Sequence, residues 1–109
     1  MNDLHSSLIN LRSFYSSGAT LSYDFRITQL KSFAKAIIQH NDEINAALYT
    51  DLKKSPEEAW ASETGLLMSE IRNAINNLHK WMRPEKVSSS LVTFPSTAKI
   101  YRDPLGVVF

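Results

Sequence analysis

The sequence contains no cysteine, and this absence excludes several classes of protein at once. Disulfide-stabilised folds, catalysis by a thiolate and metal sites with cysteine ligands all require a residue that this chain does not have. Glycine is also scarce, with three residues that stand far apart in the chain. A phosphate-binding loop needs several glycines close together, so we expect no such loop here.

The chain also lacks an excess of one charge and a long apolar run. Twelve Lys and Arg residues balance 11 Asp and Glu residues to a net charge of +1, and the basic residues are scattered. A nucleic-acid or anionic-membrane partner would need a basic stripe, so we expect neither. No apolar run approaches the ~20 residues of a membrane-spanning helix, and the N-terminus lacks the features of a signal peptide. The expectation is a soluble, cytoplasmic protein.

A length of 109 residues is enough for one domain with a core. Apolar residues recur at steps of three and four through the first 83 residues, which predicts helices joined by short turns. Four helices are predicted: one from Asp3 to the residue before Gly18, one from Ser22, one from Asp42 and one from Ser55 to Arg83.

The fourth predicted helix has the clearest N-terminal signature. Ser55 can cap it, Pro56 suits the first helical position, and Glu58 can complete a capping box with Ser55. Pro84 disfavours helical geometry at the residue before it and ends the run. The predicted buried stripe consists of Trp60, Thr64, Leu67, Ile71, Ala74, Leu78 and Trp81. We expect the other helices to cover this stripe.

The pattern changes after Pro84. Residues 84–96 are rich in serine and indicate an extended connector, and residues 97–103 alternate as a half-buried strand does. Asp103 to Gly106 favours a turn or a bend, and Val107 to Phe109 begins a second apolar run typical of a strand. The chain stops inside that run, so we interpret the sequence as a fragment of a longer protein.

Candidate chemical groups are few and separated. The three histidines, His5, His40 and His79, fall on different elements without a metal-ligand spacing, so surface positions are expected. Glu57, Glu58, Glu63 and Glu70 lie along one helix with no sign of an apolar pocket, so solvated helix flanks are expected. Gly65 inside that helix either permits the close approach of a neighbouring element or is an ordinary helix glycine. No catalytic, cofactor-binding or metal-binding residue is assigned.

Short motifs in a fixed order nevertheless run along nearly the whole chain. They are Arg12-x-Phe14, Ser17-Gly18-x-Thr20, Arg26-x-x-Gln29-Leu30, Ile44-x-x-Ala47-Leu48-x-x-Asp51-Leu52-x-Lys54, Glu58, Glu63, Ile71, Ala74, Leu78, Trp81 and Pro104-Leu105-Gly106-Val107-Val108. Together they resemble the N-terminal region of a class 3-type aldehyde dehydrogenase, the group that includes fatty aldehyde dehydrogenases. The closing Pro-Leu-Gly-Val-Val motif is the most specific of them.

The resemblance implies a mainly helical piece of an α/β, Rossmann-like enzyme. Residues 1–83 would be its N-terminal helical region, 84–96 a connector, 97–103 a strand of the dimerisation region, and 104–109 the start of a strand of the nucleotide-binding domain. The implied reaction oxidises an aldehyde to a carboxylic acid with NAD or NADP. The nucleophilic cysteine, the general-base glutamate, the oxyanion-hole asparagine and the nicotinamide-binding turn would all lie after Phe109.

The resemblance also implies partners. The chain would pack against the remainder of its parent enzyme and be inactive alone, with the aldehyde bound only by the parent. A homo-oligomer is expected because a fragment would expose apolar surface and an unpaired strand, which favour self-association. Two other interpretations stay open from the residues alone. One is a self-contained helical module for protein–protein interaction; the other is a nucleic-acid-binding bundle, which the balanced charge disfavours.

Overall fold

A computed structural model describes residues 3–108. The helices are α1 (Asp3–Ser16), α2 (Tyr23–Gln39), α3 (Asn41–Leu52), α4 (Pro56–Ala59) and α5 (Gly65–Trp81), with a π turn at Trp60–Thr64 between the last two. A short 3-10 turn occupies Leu91–Thr93, and the strands are β1 (Glu85–Val87) and β2 (Ala98–Ile100). This architecture confirms the predicted fold class of helices followed by a short β segment.

The chain divides into two compact units. One contains Met1–Phe25 and His79–Phe109, and the other contains Arg26–Leu78. The boundaries between the units fall inside α2 and α5, so each of these two helices is divided between the units.

In the first unit, α1 is tied to the residues that follow the strands. The Tyr15 hydroxyl donates a hydrogen bond to the carbonyl oxygen of Pro104, 3.0 Å away, and so joins two positions 89 residues apart. Phe14 packs against Phe25 with 5.9 Å between the ring centres, which ties α1 to the start of α2. Helix α1 therefore contacts Phe25, which precedes the second unit in the sequence, and Pro104, which follows it.

Few side chains of the described residues are buried. They are Ile37, Ala59, Thr64 and Ile71, all in the second unit. Of the stripe predicted along the fourth helix, Thr64 and Ile71 are buried, but Leu67 is exposed, as are the two tryptophans: Trp60 is 59 % exposed and Trp81 45 %. The prediction that the other helices cover the whole stripe is therefore wrong.

None of the helices in residues 3–108 combines the length and apolar character that crossing a bilayer requires.

The fourth predicted helix begins as expected and then changes. The Ser55 side chain accepts a hydrogen bond from the Glu58 N–H, and the Glu58 carboxylate accepts one from the Ser55 N–H, so the predicted capping box is confirmed. At Trp60–Thr64 the helix widens to a π turn, in which the Gly65 N–H bonds to the carbonyl of Trp60 five residues earlier. A single regular helix from Ser55 to Arg83 is thus not what forms.

The two strands form an antiparallel hairpin. Its register pairs Glu85 with Ile100, Lys86 with Lys99 and Val87 with Ala98. The second strand lies inside the predicted strand, whereas the first occupies residues that were predicted only as an extended connector.

The residues after the hairpin are irregular. Asp103 to Gly106, predicted as a turn or bend, has no regular secondary structure and is followed by a bend at Val107. Val107 and Val108 lie outside both strands, and Phe109 lies outside the described residues. The assignment of residues 104–109 to a nucleotide-binding domain therefore stays a prediction.

Candidate functional surfaces

The predicted histidines do not come together. His40 Nδ1 lies 3.1 Å from Glu43 Oε1 at the junction of α2 and α3, and His79 packs edge-on against the ring of Tyr23. His5 is exposed on α1. Across residues 3–108, no group of three or more His, Cys, Asp or Glu side chains is placed to hold a metal ion.

The four glutamates of the fourth predicted helix make separate contacts. Glu58 closes the capping box, Glu63 forms an ion pair with Lys54, and Glu70 is exposed on α5. Glu57 is fully exposed, and hydrogen bonds from its own backbone N–H and then from Ser55 lower its pKa below the ordinary 4.5. None of these arrangements is an acid–base pair. The assignment of no catalytic residue stays a prediction.

An apolar groove lies beside the π turn in the second unit. It has a volume of about 290 Å³ and is lined by Ile37, Ile38, Asn41, Trp60, Thr64 and Met68. Gly65 makes this geometry possible, because a Cβ at that position would overlap the Trp60 carbonyl oxygen and would lie 3.1 Å from the indole ring. The close approach at Gly65 therefore comes from Trp60 in the turn just before it, and neither a separate neighbouring element nor an ordinary helix position describes this glycine.

A second cavity, a depression that is open to solvent, lies in the first unit, where α5 ends and the hairpin begins. Its volume is about 630 Å³, and its lining residues are Lys80, Trp81, Arg83, Pro84, Glu85 and Arg102. Arg102 Nη2 donates to Glu85 Oε2 at 2.7 Å. Sequence reasoning missed this site because its basic residues are spread over positions 80–102. The signal that could have found it is the tryptophan flanked by basic residues at the end of the helix.

The loop of the hairpin presents apolar side chains to solvent. Leu91 is 91 % exposed, Val92 93 % and Phe94 80 %. Three large apolar side chains so close together and so exposed are unusual on the surface of a complete globular protein. This loop is therefore a candidate contact surface.

Several residues that carry the resemblance shape the backbone between elements. Gly18 (φ +78°) and Gly106 (φ +98°) occupy the left-handed region that glycine tolerates best. Lys54 and Glu63 link the segment after α3 to the π turn. Arg26 is half-buried and makes an interaction of its own. These positions have structural explanations that need no active site.

Comparison with known proteins gives one consistent group of relatives. No family model matches the chain. An aldehyde dehydrogenase from Craterostigma plantagineum is 45 % identical over 98 residues, which is 90 % of this chain and 20 % of that protein. Aldehyde dehydrogenase family 3 member I1, chloroplastic, from Arabidopsis thaliana is 46 % identical over 98 residues, which is 90 % of this chain and 18 % of that protein. The 4,4'-diaponeurosporen-aldehyde dehydrogenase of Staphylococcus aureus is 34 % identical over 99 % of this chain and 24 % of its own.

A solved structure agrees with the sequence relatives. The substrate-bound state of Staphylococcus aureus AldH matches 95 % of this chain and 23 % of its own, with a TM-score of 0.90 and 34 % identity. The chain spans about a fifth of the length of the curated relatives that it matches. In both sequence and fold, it is therefore similar over nearly its whole length to about one fifth of a family 3 aldehyde dehydrogenase.

Proposed function

We propose that this chain supplies the N-terminal helical part of an enzyme that oxidises aldehydes to carboxylic acids. The observation that carries the proposal is the agreement of sequence and fold over the same residues: 34–46 % identity to aldehyde dehydrogenases and a TM-score of 0.90 to one of them. Similarity of fold alone would leave the chemistry open, because one fold serves many functions. Identity at this level along nearly the whole chain makes a shared reaction the best-supported choice.

The proposed cofactor is NAD or NADP, bound by parts of the parent enzyme other than this chain. A dinucleotide site of the usual kind needs a glycine-rich turn that opens a helix. Here Gly18 and Gly106 take left-handed backbone angles and Gly65 accommodates Trp60, so each glycine already has a role in the backbone. We therefore assign no residue of this chain to the cofactor.

We further propose that residues 97–103, which contain β2, belong to the dimerisation region and that residues 104–109 enter the nucleotide-binding domain. The two strands leave unpaired backbone groups at both edges of a two-stranded sheet, and such edges favour pairing with further strands. The proposed partners are the remainder of the parent enzyme, against which this chain packs, and a second copy of that enzyme. A homo-oligomer is the expected assembly.

The test replaces the corresponding segment of the Staphylococcus aureus AldH with this chain. We expect the chimera to form NADH or NADPH from an aldehyde, with a rate within about tenfold of the unchanged enzyme, because we assign no residue of the replaced segment to the reacting atoms. A matched chimera that carries Ile71→Asp places a charge at a buried position and should be inactive. A folded chimera without activity would overturn the proposed placement.

The chain alone is expected to be inactive in the same assay, because the implied nucleophilic cysteine lies outside it. Formation of NADH by the purified chain in the presence of an aldehyde would contradict this expectation. Nothing in the described residues or in the relatives favours the alternative of a self-contained interaction module.

We propose the cytoplasm as the location of the protein. Because one relative is chloroplastic, the plastid is the alternative location, and imaging of a fluorescent fusion would distinguish the two.

A further inference from the structure

We propose that the cavity at the end of α5 binds a small organic anion that carries both a carboxylate and an aromatic ring. The cavity lies wholly within the unit that contains Met1–Phe25 and His79–Phe109. Its residues take no part in the proposed dehydrogenase chemistry, so this inference does not depend on the proposed function. It rests on the charges, the hydrogen-bond donors and the exposed indole of the lining residues.

The cavity has more cationic donors than acceptors. Lys80, Arg83 and Arg102 contribute three positive charges, and Glu85 is the one carboxylate in the lining. Glu85 accepts a hydrogen bond from a single nitrogen of Arg102, although a guanidinium carries five N–H donors. Arg102 can therefore hold Glu85 and still donate to a second carboxylate.

The other two cations have no acidic partner among residues 3–108. Lys80 forms no ion pair there, and the neighbour of the Arg83 guanidinium is His79 Nε2 at 3.4 Å. A cation in the last turn of a helix is favoured by the helix dipole, which accounts for Lys80 without any ligand. The ion pair with Glu85 accounts for Arg102, so Arg83 is the cation that neither the dipole nor an acidic partner explains, and a bound carboxylate would explain it.

Trp81 supplies the surface for the apolar part of the ligand. It is the last residue of α5 and is 45 % exposed, so an aromatic face lies open beside the cations. A planar ring can stack on the indole while its carboxylate reaches the lysine and the arginines. The volume is about 630 Å³, and all six lining residues are exposed, so the ligand would lie in a depression that is open to solvent. The combination selects an aromatic carboxylate over an inorganic anion or a neutral ring.

The experiment is an NMR titration of the isotopically labelled chain with cinnamate, at a concentration at which light scattering shows a monomer. We expect the indole N–H resonance of Trp81 to shift while that of Trp60 stays in place. The dissociation constant should be on the order of one millimolar for a ligand of this size and should rise with salt. Cinnamamide has nearly the same shape without the charge and should bind at least about fivefold more weakly. Equal binding of the two compounds, or no shift at Trp81, would overturn the proposal.

Two sets of variants separate the cavity from general attraction to a basic surface. The double variant Lys80→Gln with Arg83→Gln should weaken cinnamate binding about tenfold. Lys86→Gln removes a charge from the exposed surface of β1, outside the cavity lining, and should change the affinity less than about twofold. If the double variant does not fold, Lys80→Gln alone replaces it, with an expected loss of about threefold. A loss from Lys86→Gln as large as that from the cavity variants would contradict a defined site.

Discussion

Gly65 is the residue on which the geometry of the π turn depends. Alanine is the better helix former by about 1 kcal/mol in an ordinary helix, so a helix glycine is normally a position where alanine stabilises. At this position, however, the added Cβ would overlap the backbone oxygen of Trp60, which cannot move without the turn. The local clash therefore outweighs the helix propensity.

We accordingly expect Gly65→Ala to lower the free energy of unfolding by about 1–3 kcal/mol, measured by urea denaturation. Asn76→Ala is the matched control, because Asn76 is exposed on the same helix and its replacement should change stability by no more than about 0.5 kcal/mol. A stabilised Gly65→Ala variant would mean that the turn relaxes to a regular helix at little cost.

Tyr15 connects α1 to the segment that contains Gly106. Its hydroxyl donates to the Pro104 carbonyl, and its ring lies 3.8 Å from where a Cβ on Gly106 would be. The substitution Tyr15→Phe keeps the ring and removes only the hydrogen bond. We expect a loss of about 0.5–1.5 kcal/mol in the free energy of unfolding, measured with urea. The control Tyr101→Phe removes an exposed hydroxyl and should have little effect; equal losses from both variants would argue against the Pro104 contact.

Local signals at the residue scale were predictable from the sequence, whereas burial was not. The capping box of Ser55 and Glu58 was predictable because its donors and acceptors lie within one helical turn of one another. The exposure of Trp60 was not predictable in this way, because the predicted buried stripe assumes the period of a regular α-helix. One extra residue in a turn rotates side chains before it by about 100° relative to those after it. The clue available in the sequence was the position of Trp60 shortly before Gly65, a glycine inside the predicted helix.

At the scale of elements, the hairpin contains a repulsive pair. Lys86 and Lys99 lie directly opposite each other in the antiparallel register, and like charges in that position are destabilising. Neither lysine has an acidic partner among residues 3–108. The hairpin is thus less stable in this chain than its backbone pairing alone would make it.

Replacing one lysine should reverse the effect. We expect Lys99→Glu to stabilise the hairpin by about 0.2–1 kcal/mol, because the cross-strand repulsion becomes attraction. NMR chemical shifts of the β1 residues report the folded fraction of the hairpin, and the gain should shrink in about 1 M salt. Lys99→Gln removes the repulsion only and should give a smaller gain. If neither variant changes the folded fraction, the two lysines do not face each other.

The helices were predictable as elements, and β1 was not. Helices of 12–17 residues repeat their apolar pattern over several turns, so a single sequence contains enough of the signal. The strand β1 has three residues, and its partner strand begins only at Ala98, well beyond the reach of a tight hairpin turn. Pairing over that separation depends on contacts that periodicity does not encode.

At the scale of the whole molecule, exposed apolar side chains outnumber the buried ones. The hairpin loop is the densest cluster, and α1, α2 and α5 each carry further examples. Their apolar positions predicted a core, but a single sequence does not say whether that core lies within the chain or against another part of a larger enzyme. The resemblance to aldehyde dehydrogenases was the observation that supplied the second possibility.

We therefore expect the isolated chain to self-associate at high concentration, as measured by light scattering after size-exclusion chromatography. The double variant Leu91→Ser with Phe94→Ser should shift the chain toward the monomer, because it removes the most exposed apolar cluster. Ile9→Ser with Leu66→Ser removes two exposed side chains elsewhere and should have a smaller effect. A chain that is monomeric throughout would contradict this expectation.

The π turn has a further consequence for changes in chain length. Because the turn between α4 and α5 holds one residue more than an α-helical turn, deletion of a single residue such as Ala61 is compatible with an unbroken helix. Such a deletion would leave backbone hydrogen bonding intact but would swing Trp60 about 100° around the helix axis, away from the groove that it lines. At this place, the number of residues decides the direction of Trp60, just as the identity of Gly65 decides whether the turn can form.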